Sequence, residues 1–529
     1  MTKRLREQRG FTMLLAVFVL TITTLMVGGA FMAVLDDTGL SRNDVDQNRA
    51  YAAAQAGIQA YNYKLNQNEN YWETCTTLGP TTVPGDSGSS AESYTVTPMV
   101  ATTAPSSDNH CDSANALATM IEGSSSGTAS GTFRIKSTGT SGTGTHTVSR
   151  TIVAQYKPPS FLNYVYYTDF ETTDPSALPG DPSDCEVHYP GRGSDCGGPI
   201  NFITGDVING PLHSEDTLAI CGSPSFGRTS ADTIQAPAYS NEGQSGCANT
   251  PNMVGTYSNR AGTIAPPVDD SQLLSVAESG GSHYTGKTTI VLTGATMTVT
   301  NASVNGGAPQ TGVALPTDGV IYVSTATAGC SVNYTPFNPS YSNDANCGNV
   351  YVSGTYSSSL TIASDNDIII DGNLCNSGAA CTTSLPAPTG NAVLGLIAND
   401  FVRVYHPVSG SRGSSAGSCS NVNNGTGTLY NPIVYAAILA VKHSFIVDNY
   451  DCGGESPSLG TLYVYGAIAQ LFRGPVGTGG SGGATSGYIK SYNYDDRLSE
   501  EEPPYFLDPA SAAWYVSRET ECAASASAC

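Results

Sequence analysis

The sequence predicts a mainly β chain carried on one long N-terminal helix, with most of its length in a large right-handed parallel β-helix-like domain and a β-sandwich as the alternative. Three observations lead there. The run from Phe11 to Leu35 carries no charge, and the proline-free, alanine-rich segment behind it continues to about Asn68. Charged residues make up only 12% of the 529-residue chain, whereas glycine numbers 58, a composition that favours short strands and turns over a helical bundle. Beyond residue 160, short apolar runs recur between Gly, Asn and Asp turns without a helical period.

The helix comes first. An uncharged run of this length crosses a hydrocarbon core of about 30 Å. Lys3, Arg4, Arg6 and Arg9 precede it and Asp36-Asp37 follow it, which puts residues 1–10 in the cytoplasm and the body outside. Behind the run, Tyr51, Ala54, Ile58, Tyr61 and Leu65 recur at steps of three and four, one face of a helix. Residues 11–68 thus predict a helix roughly 85 Å long at 1.5 Å per residue, with 11–35 in the membrane. Two other readings compete. "VGGAFMA" offers a secretory cleavage site after Ala30 or Ala33, but such a signal has an apolar core of about 7–15 residues. A permanent single-pass anchor also fits the length.

Residues 69–157 read as a loop followed by a small antiparallel sheet. In "TFRIKS", Phe133 and Ile135 alternate with Arg134 and Lys136, and in "TVSRTIVAQY" Val148, Ile152, Ala154 and Tyr156 share a face; "SYTVTPM" is a third strand. Pro158-Pro159 marks the boundary. Residues 158–515 hold the recurring runs "GVIYVS", "NVYVSGTY", "LTIAS", "DIIIDGN", "VLGLIA", "FVRVYH", "VYAAILAV", "SFIVDNY" and "TLYVYGAIAQ", which suit stacked coils with polar corners. A short helix at Ala510–Arg518 is expected to cover the last coil, with 516–529 a C-terminal tail.

The formal charge is -22, and without residues 1–10 it becomes 18 basic against 43 acidic, or -25. A body of that sign excludes nucleic acid and anionic headgroups as its partners. The fourteen cysteines fall in order into neighbouring pairs: Cys75 and Cys111, Cys185 and Cys196, Cys221 and Cys247, Cys330 and Cys347, Cys375 and Cys381, Cys419 and Cys452, Cys522 and Cys529. None forms a CxxC, so disulfides in an oxidising compartment are expected, sequential pairing being one connectivity among several.

Little points to catalysis. His110, His146, His188, His213, His283, His406 and His443 are scattered, with no HExxH and no GxSxG elbow. An enzyme on a stacked β scaffold would need converging carboxylates, for which Asp365, Asp367 and Asp371 or Asp495 and Asp496 could serve. Asp is also a preferred turn residue, so no catalytic residue is expected. No cofactor is expected either, with one exception: Asp365, Asp367 and Asp371 offer hard oxygen ligands for calcium, as does the run Asp169, Glu171, Asp174, Asp181 and Asp184, although neither has EF-hand spacing.

"QRGFTMLLAVFVL", a basic leader ending in Gly before Phe and an apolar helix, resembles the class III signal of type IV prepilins and type II secretion pseudopilins. "RAYAAAQAGIQAY" is similar to the helical continuation of minor pilins. The resemblance reaches to about residue 65. It implies that a prepilin peptidase cuts between Gly10 and Phe11, that the new amine of Phe11 is methylated, and that residues 69–157 complete a pilin-like module. Most major pilins carry at the position of Leu15 a Glu that meets a neighbour's N-terminal amine. Leucine cannot do so, which leaves that amine costly in a filament core. The resemblance therefore implies a minor pilin or tip pseudopilin of a type IV pilus or type II secretion-like filament. Its partners would be major and other minor pilins, the membrane assembly platform and an extracellular ligand, and its place the cell membrane and then the cell surface or pilus. Two rivals from other classes are a tethered surface protein that never polymerises and a β-helix carbohydrate-active enzyme.

Overall fold

The computed structural model describes residues 9–86, 91–102, 111–121, 132–143, 146–157, 160–178, 182–193, 195–259, 262–410, 412–413, 417–419, 422–452, 459–510 and 514–522. The chain divides into two compact units. One is Met1–Gly123, Gly131–Lys157 and Ala513–Cys529; the other is Ser124–Ser130 and Pro158–Ala512.

In the first unit, α1 (Arg9–Gln67) runs as a single helix. Its segment Met13–Ala30 has a mean hydropathy of 2.2 and no residue buried within the chain. The second half is buried along Ala50, Ala53, Ala54, Ile58, Tyr61 and Leu65, the three- and four-residue steps expected of one face. Tyr51, counted on that face in the sequence, is instead exposed. The helix lies on a sheet of β1 (Leu78–Thr82), β2 (Ser93–Pro98), β3 (Phe133–Ser141), β4 (Val148–Lys157) and the C-terminal strand Tyr515–Glu521, in that order and antiparallel throughout.

Strand β3 alternates Phe133, Ile135 and Ser137 inward, as a half-buried strand should. Small residues bring backbone onto backbone: a Cβ on Gly139 would lie 2.0 Å from the Ala50 carbonyl oxygen and 2.3 Å from the Ala54 nitrogen. Phe133 stacks on Tyr156 at 5.0 Å between centroids, and Trp72 and Trp514 close the cluster. The C-terminal strand corrects one expectation. In place of a helix over Ala510–Arg518, Tyr515 pairs with Lys157 and Glu521 with Ile152, so the segment after residue 514 completes this sheet.

The second unit is built mainly of parallel ladders. The longest stacks ten strands in the order His283–Thr285, Val320–Ser324, Leu360–Ser364, Leu394–Ala398, Ile433–Ala440, Thr461–Phe472, Tyr166–Phe170, Leu212–Ser214, Thr233–Gln235 and Thr256–Ser258, every neighbour parallel. Side chains stay in register down the stack. Ile321, Ile362, Leu396, Ile438, Ile468, Tyr166, Leu212 and Ile234 form one buried column. A second parallel ladder, Thr288–Gly294, Val350–Tyr356, Ile368–Asn376, Val402–Val404 and Phe445–Val447, runs beside it. The sheet is mixed, since Thr288–Gly294, Thr296–Asn301 and Gln310–Ala314 pair antiparallel.

The order of that ladder is not the order of the chain. Tyr166–Phe170 enters at an interior level, and the chain winds to one end at Thr256–Ser258. Residues 259–282, with the helix Gln272–Gly280, then lead to the opposite end at His283–Thr285. From there it winds back until Ile468 pairs with Tyr166. First and last coils are thus neighbours. This suits a unit inserted between β4 and the C-terminal strand, whose ends Lys157 and Tyr515 are themselves paired, because an inserted domain must bring its own ends together.

Candidate functional site

Three excursions leave the long ladder at the C-terminal ends of their strands: residues 171–201 after Tyr166–Phe170, residues 325–349 after Val320–Ser324, and residues 473–488 after Thr461–Phe472. Apart from residues 259–282, which connect the two ends of the ladder, the corresponding corners elsewhere are short, residues 365–367 and 399–401 among them. The long segments meet over the face of Phe445–Val447. There they enclose a cleft of about 580 Å³, walled by Asp174, Ala177, Leu178, Tyr334, Pro336, Phe337, Tyr450 and Pro475, with Ile446 beneath. A narrower cavity of about 210 Å³ shares Thr173, Gly197, Tyr450 and Pro475 with it and extends along Asn201, Thr478, Gly479 and Lys490. Together they form one trough, apolar and aromatic at one end, glycine-walled at the other. Gly197 and Gly198 both take left-handed φ values, +71° and +79°, a conformation open to glycine at no steric cost.

Each wall is fastened to the stack by charge. Under the aromatic end, Arg403 holds Asp448 with two hydrogen bonds of 2.9 Å and Asp367 with one of 2.8 Å, all three side chains buried. Asp448 in turn accepts from the Tyr334 hydroxyl at 2.9 Å and the Tyr341 hydroxyl at 2.7 Å, and the guanidinium lies 4.1 Å from the Tyr334 ring centroid. This ties residues 325–349 down. Burial, and then the Asp448 charge, pushes both phenols well above their ordinary range. Burial pushes the Asp367 carboxyl up to about 6 against the pull of Arg403.

On the opposite wall, Asp174 caps the turn Pro175–Ala177 by accepting from the Ser176 amide. Its other oxygen meets His443 Nδ1 at 2.9 Å. Burial alone would lower the His443 pKa; the Asp174 hydrogen bond and charge, with Asp400 and Asp367, raise it overall, and its ring stacks on Phe401 at 4.5 Å. Beneath the glycine-walled end, Arg473 pairs with Glu171 at 2.6 Å, Lys490 with Asp206 at 2.7 Å, and Arg192 with Asp216 at 2.5 Å. Burial lowers the Lys490 pKa, with Asp206 opposing. Glu242, beside Arg192 at 3.8 Å, is pushed up to about 7 by burial, only partly offset by that arginine.

Disulfides frame the excursions. Cys185–Cys196, Cys330–Cys347 and Cys419–Cys452 close segments around the trough, while Cys75–Cys111, Cys221–Cys247 and Cys375–Cys381 lie elsewhere. Cys522 is also in a disulfide, and Cys529 lies outside the described residues. The other residues singled out in the sequence are dispersed. Gly10 and Phe11 are in α1, with their side chains outside the described set, and Leu15 is exposed on the apolar segment.

Asp365 binds the Tyr322 hydroxyl and the Thr325 amide. Asp367 serves Arg403, and Asp371, within the strand Ile368–Asn376, is raised by burial beside Ser353. These three carboxylates face separate partners, and no group of metal-ligating atoms found among the described residues contains them. In the acidic run, Asp169 pairs with His188, and Glu171 and Asp174 pair as above; Asp184 lies beside the bonded Cys185 and Cys196, and Asp181 is outside the described residues. Asp495 pairs with Arg497 and Asp496 with Arg228. The trough residues Tyr334, Phe337 and Tyr450 were not singled out in the sequence. The signal available was an aromatic and proline-rich "NYTPFNPSY" inside the Cys330–Cys347 loop.

No protein-family model and no curated protein matches the chain. Among solved structures, the crystal structure of competence-associated pilin ComZ from Thermus thermophilus aligns over 91% of this chain and 98% of that one, at 11% identity and a TM-score of 0.27. A TM-score that low does not establish a common fold.

Proposed function

We propose that the chain is a minor pilin or tip pseudopilin that displays its β unit outside the cell for filament initiation, adhesion or ligand contact. The observation that carries this reading is α1 itself. One continuous helix leaves an apolar, chain-free first half at Met13–Ala30 and buries its second half on a small antiparallel sheet, behind a Gly10-Phe11 junction of the class III type. A helix of that design suits a subunit held in the bilayer before joining a filament. Prepilin peptidase, other pilins and the membrane assembly platform are the proposed partners. The stacked parallel ladders, with an in-register apolar column and long corner loops, favour a right-handed β-helix over the sandwich, whose sheets are antiparallel. We assign the unit a binding role rather than a catalytic one, with no cofactor, since the carboxylates of Glu171, Asp174, Asp367 and Asp448 are paired with Arg473, His443 and Arg403.

Intact-mass and N-terminal analysis of the protein from its native membrane tests the reading. A start at N-methylated Phe11 is expected. A start at Met1 would favour a tethered protein that does not polymerise, and a start near Phe31 or Val34 an ordinary secreted one.

A further inference from the structure

We propose that the trough binds a neutral oligosaccharide, with sugar rings seated against Phe337 and Tyr450 at the wide end and the chain continuing along the Gly197–Gly198 wall. The inference rests on reading the β unit as a contact domain and names its ligand class.

Charge argues first. Both ionised side chains in the lining are already paired, Asp174 with His443 and Lys490 with Asp206. Among the described residues no free cation lines the trough to hold an anion, and the chain beyond residue 10 carries -25, so polyanions are repelled. Shape argues second. Two contiguous cavities sharing Thr173, Gly197, Tyr450 and Pro475 suit an extended ligand of several units. Their total is within the size usual for small-ligand sites.

Surface chemistry argues third. Apolar and aromatic residues share the lining with Thr173, Ser176 and Thr335, a mixture that matches a pyranose, which presents C–H groups on its faces and hydroxyls at its edge. The phenol of Tyr450 is a hydrogen-bond donor at neutral pH, as any phenol is, and burial pushes its pKa up to about 12. Rigidity argues last. A sugar offers little apolar area per residue, so its site must lose little freedom on binding. Here Phe337 is held between Tyr450, 5.7 Å away, and the Arg412 guanidinium at 5.2 Å, inside a loop fixed by Cys330–Cys347 and by Asp448.

The test is calorimetry on the full chain in detergent with maltohexaose, cellohexaose and chitohexaose, alongside hexagalacturonate and an uncharged proline-rich peptide. Saturable binding of at least one neutral hexaose is expected. Phe337→Ala and Tyr450→Ala should each weaken it about tenfold or more, with thermal unfolding unchanged. Tyr430→Ala, 60% exposed and outside the trough, should bind like the parent. Hydroxyl-radical footprinting of the unmodified chain supplies a second readout independent of any variant, in which the bound hexaose shields Phe337 and Tyr450. Failure of all three neutral hexaoses to bind, preference for the acidic hexamer or the peptide, or binding that leaves both rings unshielded overturns the proposal. The result is separable from the pilin reading. A Phe11 start without sugar binding leaves the pilin standing, and sugar binding by a chain that starts at Met1 leaves the trough standing.

Discussion

The helix–sheet unit and the stacked unit answer the same problem, how to lay one backbone on another, with opposite use of charge. In the helix–sheet unit the contact is made by small residues, Ala50 and Ala54 against Gly139, around an aromatic cluster of Phe133, Tyr156, Trp72 and Trp514. In the stacked unit the ladders bury aliphatic columns, and the ionic groups appear where excursions meet the stack. Among the described residues, the arginine–carboxylate pairs buried at both ends join Arg192, Arg403, Arg412 and Arg473 to loop and corner carboxylates of this unit. A repetitive stack gains stability coil by coil and needs no such pairs to hold its core. Buried ions are weak evidence of stabilisation in themselves; their concentration around one trough is better explained by the shape they fix.

Removing one of these ions is the strongest way to break the contrast. Arg403→Ala leaves Asp448 and Asp367 buried without their cation, and the expected cost is about 3–5 kcal/mol. Peptide-resolved hydrogen exchange should show the loss in residues 325–349 and the adjoining coils, with α1 and its sheet unchanged. Arg403→Lys should recover only part of it, because an ammonium cannot reproduce the paired hydrogen bonds to Asp448. Equal loss in both units would mean that the pair does not fasten this loop locally.

The next effect is pH dependence confined to the stacked unit. Glu242 and Asp270 are each pushed by burial to about 7, above the 4–4.5 of an ordinary carboxyl. Between about pH 4.5 and 7 the folded state keeps protons that the unfolded chain has lost, so stability falls as pH rises through that window and levels off above it. For Glu242 alone the fall is on the order of 2–3 kcal/mol. Glu242→Gln should remove the Glu242 share of that slope and leave the Asp270 share, measured as unfolding midpoints from pH 5 to 8. An unchanged slope would place the titrating group elsewhere.

A smaller effect sharpens the other side. Gly139→Ala places a methyl group against the backbone of Ala50 and Ala54, which no side-chain rotation can relieve. A cost of about 1–3 kcal/mol is expected, read as faster exchange in residues 50–65 and in β3, while the ladders keep their protection.

These cases also show what a sequence can disclose. The helix through Leu65, the alternation in β3 and the runs at Val320, Leu360, Leu394 and Ile433 are legible because period and composition are local properties. Tyr51 and the strand at Tyr515 were misread for a reason of the same kind: which face of a helix meets a sheet, and whether a terminal segment finds an open edge, depend on partners far along the chain. Glu519, for instance, pairs with Ala154. The entry of the ladder at an interior level has no local signature at all, since Tyr166 and Ile468 are each ordinary core residues. The trough is the extreme case. Asp174 and His443, or Tyr334 and Asp448, become a site only through contacts between residues more than a hundred positions apart, whereas the acidic clusters visible in sequence, Asp365 to Asp371 among them, disperse to separate partners.

The smallest predicted effect asks whether buried and exposed ions in the stacked unit differ as this reading requires. Arg228 holds two carboxylates, Asp232 and Asp496, each at 2.8 Å. Asp232 is nearly buried, and although burial opposes it, Arg228 and backbone amides lower its pKa. The Asp496 side chain is 73% exposed, so solvent already supplies most of what the arginine could. Asp496→Asn should therefore cost under about 1 kcal/mol and grow less visible with added salt. The Asp232 contact persists in that variant, so Arg228 stays in place. A loss comparable to that of Arg403→Ala would mean that surface charge, and not only the buried pairs around the trough, shapes this unit.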